Sequence, residues 1–151
     1  MPTYDSTVEK LVKYLVVKAL AGHGYAVQAV YEHIVNEISP STLAYKYGMS
    51  KHQLRGYTQR VIEKAGSEWR AKALLRLLTP YILRVKPIIV VYGDGKAYCS
   101  YCKVEIPMAK TEDHVRRRHK DLVSVIMRKI LHEVTAPKQV GISRAEHYAL
   151  Y

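Results

Sequence analysis

The chain has 151 residues, 48% of them hydrophobic, which suits one compact domain with a small appended module and excludes a wholly disordered chain. No apolar run approaches the ~20 residues that span a bilayer; the longest, Leu15–Ala21, is interrupted by Lys18. The net charge of +11 is uneven: residues 1–39 sum to −1, 40–86 to +8 and 96–132 to +5, a pattern that fits a localised polyanion surface or a generally basic soluble surface.

The opening Met-Pro-Thr-Tyr-Asp lacks the basic stretch of a secretory signal, so an intracellular location is expected. Ser6-Thr-Val-Glu9 forms a capping box, and Val8, Leu11, Val12, Leu15 and Leu20 follow at helical spacing. A first helix over about 7–21 is expected, closed by Gly22-His-Gly24. It is either a homodimer surface or part of the core. A second helix is expected over 25–38, with Val27, Val30, Tyr31, Ile34 and Ile38 on one face.

Ser39-Pro40 starts a short helix that stops at Gly48, and Ser50-Lys-His-Gln53 opens another that reaches Lys64. The first of these carries the small Ala44 where a second helix would cross it. Four residues on, Gly48 supplies the freedom for a tight turn, and Leu43, Tyr47, Met49, Leu54 and Tyr57 can weld the pair. Residues 40–64 thus resemble the helix-turn-helix family of DNA-binding proteins. The resemblance implies a tri-helical unit whose last helix, 50–64, enters the major groove of double-stranded DNA. Ser50, Lys51, His52, Arg55, Gln59, Arg60 and Lys64 would face the DNA there. Lys46, and Arg70, Lys72 and Arg76 on the next helix, are candidate phosphate contacts. That next helix runs from about 68 towards Pro80 or beyond.

Pro87 opens a different pattern. Ile88–Tyr92 is β-branched, Gly93-Asp-Gly95 signals a hairpin, and a second strand through Tyr98 delivers Cys99. Thr111 can cap a last helix that continues through Val123, Ile126 and Ile130, and residues 136–151 form a tail. Cys99, Cys102, His114 and His119 have the donor types and spacing for one tetrahedral zinc ion. Four protein ligands leave no open position, so this Zn2+ is structural. A redox pair would normally open a helix, and a disulfide is disfavoured inside the cell.

Residues 97–120 resemble the C2H2 zinc finger family. They depart from it in an eleven-residue interval between the ligand pairs, in Ile106 at the core aromatic's place, and in Thr111 at the core leucine's place. The acids Glu112 and Asp113 at the helix start would repel phosphates, whereas Arg116, Arg117 and Arg118 could touch them. His23, His33, His52, His132 and His147 have no comparable partners and read as surface or packing residues.

The expected architecture is mainly α with a small ββα zinc module: residues 1–86 form a helical domain, 87–135 the zinc module and 136–151 the tail. The combination resembles small regulators of archaeal viruses and plasmids. It implies a sequence-preferring DNA-binding protein, with a DNA-coating or RNA-binding protein as the alternative. No paired carboxylates, Ser/His/Asp arrangement or phosphate-cradling glycine loop points to an enzyme, which leaves a nuclease or recombinase accessory as the least supported reading.

Overall fold

A helix built on an apolar run leaves only a narrow polar stripe for solvent, so other elements must cover most of its surface. In the computed structural model, which describes residues 6–136, helix α1 (Ser6–Leu20) is such an element. Leu11, Val12 and every residue from Leu15 to Leu20 are buried, including Lys18. Five later helices pack around it. The apolar side chains of helix 7–21, which read as either a homodimer surface or part of the core, are packed within the chain, and of the helix only Ser6, Glu9, Lys10 and Lys13 are exposed.

Helix α2 (Gly24–Ile34) ends four residues before the expected Ile38. Glu37 turns into positive φ (57°), and the Ile38 amide bonds back to the Glu32 carbonyl at 3.2 Å. Helices α3 (Pro40–Tyr47) and α4 (Lys51–Ala65) follow as expected. Ser39 caps α3 by accepting from the Thr42 amide. Gly48 takes the left-handed conformation (φ 65°) that turns the chain. Ser50 and Gln53 complete a reciprocal capping box at 3.0 and 3.1 Å. α5 (Glu68–Ile82) starts at the Ser67 cap and carries Pro80 in its last turn. Leu43, Leu54 and Val61 are buried where α2, α3 and α4 meet.

Strands β1 (Ile89–Val91), β2 (Lys96–Cys99) and β3 (Val104–Pro107) form one antiparallel sheet in that order. The turn between β1 and β2 uses positive φ at Asp94 and Gly95, as the Gly-Asp-Gly sequence predicts. The sheet is stitched to the end of α1, because the Ile88 amide donates to the Leu20 carbonyl at 2.9 Å. At Gly22 (φ 85°) a Cβ would stand 3.3 Å from the Ile89 carbonyl oxygen, so the close approach needs glycine.

The single last helix expected from Thr111 is two helices, α6 (Thr111–Arg118) and α7 (Lys120–Thr135), broken at His119 (φ −124°, ψ 35°). Val123, Ile126 and Ile130 of α7 are buried, and α7 packs on α1 and α5. One apolar cluster runs from Leu11 and Leu54 through Ile89 and Ala97 to Val115 and Ile130, continuous across residues 86–87. Mainly helical with a small antiparallel sheet, the described chain has no helix long and apolar enough to cross a membrane. The expected tail lies outside the described residues apart from Ala136.

Candidate metal centre and basic face

Cys99 closes β2, Cys102 sits in the turn to β3, His114 lies on α6, and His119 occupies the α6–α7 break. The hairpin that carries the cysteines is therefore β2–β3; the expected pairing of residues 88–92 with the strand through Tyr98 is a second hairpin added at its edge. In the cysteine turn Lys103 adopts positive φ (59°), and the Cys102 amide points at Cys99 Sγ, 3.4 Å away. Ser100 pins this turn to the Ile88 carbonyl through both its amide and its hydroxyl.

Five helical positions advance about 500°, leaving two side chains about 140° apart on a regular helix. The His114-x4-His119 spacing reads as two ligands on nearly one face of a helix, but an unbroken helix would separate the two imidazoles. The break at His119 brings the two Nε2 atoms to 3.3 Å. His119 Nε2 also lies 3.4 Å from Cys99 Sγ and 3.4 Å from Cys102 Sγ. All four donor atoms fall within 4.8 Å of one another, so the group can hold one metal ion. Metal bonds of ~2.3 Å to sulfur and ~2.05 Å to nitrogen give tetrahedron edges of about 3.3 Å between nitrogens and about 3.5 Å between nitrogen and sulfur. The three distances from His119 match those edges.

Cys99 is buried, the histidines are half-buried, and Cys102 is exposed. The Tyr101 ring stands edge-on to His119 at 5.7 Å. Burial, reinforced by Arg118, holds the His114 imidazole below its ordinary value. Burial and His114 do the same for His119. Both rings are therefore disposed to the neutral form that ligates metal.

Thr111, expected outside the core, is buried, and its hydroxyl donates to the Met108 carbonyl at 3.1 Å. Ile106 and Val115 belong to the shared apolar cluster, and α6 packs on α1, so the small core of this segment is completed by α1 rather than by a leucine of its own. The acids at the start of α6 are also redirected. Glu112 accepts from the buried Lys18 ammonium at 2.7 Å and meets His23 Nδ1 at 2.6 Å. Burial opposes its ionisation, yet His23 and Lys18 hold its carboxyl down to about 2. Burial pulls the Lys18 ammonium below its ordinary value, against the support of Glu112. His23 is thus part of an ion-pair cluster that docks the metal segment on α1, not an ordinary packing residue. The signal for it was Lys18, a lone charge inside the longest apolar run.

Around α4, the expected residues Ser50, Lys51, His52, Arg55, Gln59 and Arg60 are exposed, and Lys64 is half-buried with its ammonium 5.4 Å from the Tyr14 ring centre. Ser50 caps the helix, and Gln59 donates to Glu63 at 3.1 Å. Lys46 pairs with Glu32 at 2.9 Å while its side chain stays 55% exposed, so it can still reach a second anion. Arg70 is corrected as a phosphate contact, because its guanidinium caps the end of α4 at Ala65 and bonds Thr7. Arg116 and Arg117 share Asp113, at 2.8 and 3.6 Å, and Arg118 is exposed. Comparison of the chain with protein-family models, curated proteins and solved structures found no match.

Proposed function

We propose that the protein binds double-stranded DNA with sequence preference and acts as a transcriptional regulator. In this reading α3, the Gly48 turn and α4 are a helix-turn-helix, and α4 enters the major groove. The observation that carries it is the outer face of α4: Lys51, His52, Arg55 and Gln59 are exposed together beside a helix start fixed by the Ser50 cap. Arg and Lys suit guanine and Gln suits adenine, and the N-terminal turns of such a helix enter the groove first. The unbroken apolar contact of α4 with α1, α2 and α5 supports a rigid mount for that face.

The metal centre is read as one structural zinc. Two thiolates, two neutral imidazoles and no open ligand position support that choice over a catalytic metal. β2, β3 and α6 then form a ββα module whose role is to hold the C-terminal half in place.

The test is selection of bound sequences from a random duplex pool, followed by Arg55→Ala on the winning sequence. A recurring motif is expected, with specific binding weakened by about 1–3 kcal/mol in the variant. Equal affinity for every duplex would overturn the regulator and favour a DNA-coating protein. An unchanged footprint in the variant would remove α4 as the reader.

A further inference from the structure

A groove of about 660 Å³ lies between α4 and the segment leading into α6, floored by Tyr14 and Lys18 of α1. Small-molecule sites run from ~300 to 1,000 Å³, so this one has room for a ligand the size of a nucleotide. Its α4 wall is Gln53, Tyr57 and Arg60, whose i, i+4, i+7 spacing makes one stripe. That stripe lies about 140–160° around the helix from Arg55, on the side turned away from the face read as entering DNA. A ligand here and a duplex on the outer face of α4 would occupy different surfaces.

The lining selects the ligand. The two acids on the far wall are already engaged: Glu112 with Lys18 and His23, and Asp113 with Arg116 and Arg117. Arg60 on one wall and Lys110 on the other make no ion pair among the described residues. Two uncompensated cations match a phosphate monoester, which carries about −1.5 to −2 at neutral pH, better than a singly charged carboxylate. Aromatic surface stands beside them: Tyr25 is 42% exposed at the rim, and Tyr57 is half-buried with the Lys18 ammonium 4.0 Å from its ring centre. Such rings stack on any nucleobase. Polar partners are also left over. The Gln53 side-chain carbonyl accepts from the Ser50 amide, which leaves its amide nitrogen to donate. The Tyr14 hydroxyl is buried on the floor and makes no hydrogen bond, although Arg60 is near enough to oppose the rise that burial imposes on its ionisation. A buried orphan hydroxyl in a groove wall is a group that asks for a partner. We infer that the groove binds a nucleoside monophosphate, with its phosphate between Arg60 and Lys110 and its base on Tyr25. Gln53 and Tyr14 then supply hydrogen bonds to the nucleoside. The bound ligand bridges α4 and the metal-binding segment. This site goes beyond the DNA reading and does not depend on it.

The experiment is calorimetric titration of the metal-loaded chain, without DNA, with adenosine, guanosine, cytidine and uridine monophosphate. At least one should bind saturably, one per chain, with its free nucleoside and inorganic phosphate each weaker by about tenfold or more. Arg60→Gln and Lys110→Gln should each weaken that nucleotide about tenfold and leave the free nucleoside unchanged, because they touch only the phosphate. Tyr25→Leu should weaken nucleotide and nucleoside alike. Arg128→Gln, which removes an exposed cation of α7 that does not line the groove, should change neither. If Tyr25→Leu lowers the melting temperature, the two cation variants, both at exposed positions, carry the test. No saturable binding of any of the four at millimolar concentration would overturn the site. An equal loss in Arg128→Gln would overturn it as general attraction to a basic chain. Full affinity in both Arg60→Gln and Lys110→Gln would overturn it by putting the nucleotide elsewhere. None of these outcomes bears on α4 as the reader of DNA, which the duplex selection decides separately.

Discussion

Lys18 and Glu112 are 94 residues apart in sequence and 2.7 Å apart in the fold. Removing the carboxylate would strand a buried ammonium, so Glu112→Gln should cost about 2–3 kcal/mol. That figure lies between an exposed pair, at ~0–1, and a fully buried one, at ~3–5, because Glu112 keeps some solvent contact. Lys18→Met in the same background should recover most of the loss. Urea denaturation of the four proteins of this cycle measures it, and additive single effects would contradict the pairing. Cys99→Ser should abolish the one-to-one metal stoichiometry and destabilise the fold by more than about 4 kcal/mol, as losses of structural metal do. Elemental analysis and melting check both, and a wild type without metal would refute the zinc reading. The four ligands were legible in the sequence because Cys99-x2-Cys102 and His114-x4-His119 are local spacings. The Lys18–Glu112–His23 cluster was not, because Lys18 announces that it needs a partner without saying which.

The turn between α3 and α4 depends on Gly48, whose added Cβ would meet nothing within 4 Å. Gly48→Ala should therefore cost only the left-handed backbone penalty, about 1–2 kcal/mol, read as a lower urea midpoint at unchanged slope. Just before that turn, Glu32 binds Lys46 and Tyr47 and so ties the end of α3 to α2. Burial alone would raise its carboxyl, but the Tyr47 hydroxyl and Lys46 ammonium outweigh burial and hold it below the ordinary 4.5. Its stabilisation is fully present above that unfolded value and is lost as the pH falls through the lower folded value. Glu32→Gln should accordingly flatten the acid limb of the stability profile below about pH 4.5; an unchanged limb would exclude the role. Capped helices were legible from Ser39, Ser50 and Ser67. β3 was not, because four residues with a single buried side chain, Ile106, give too short an alternation. The helix break was not either, because Thr111 to Ile130 is continuously helix-compatible and only the geometry of two imidazoles meeting requires the kink.

At the scale of the whole molecule, α1 is covered by helices that precede the sheet in the chain and by helices that follow it, so the metal segment is not an independent bead. Chelation should lower the stability of the entire described fold in one cooperative transition. Hydrogen exchange should show α1 amides losing protection together with those of α6; faster exchange confined to residues 96–119 would contradict this coupling. The overall class, mainly helical with a small sheet, was readable from periodicity. The central place of α1 was not, because an apolar stripe looks the same whether a second chain or a later part of its own covers it. That later part also imposes an order in time. Leu11 and Leu15 are made first, while Ile126 and Ile130, which help roof them, follow more than a hundred residues later. At ~5–20 residues per second on a ribosome, the helix waits on the order of ten seconds with its greasy side uncovered. Until α6 and α7 have emerged to cover it, that apolar side is open to neighbouring chains as well as to its own later helices.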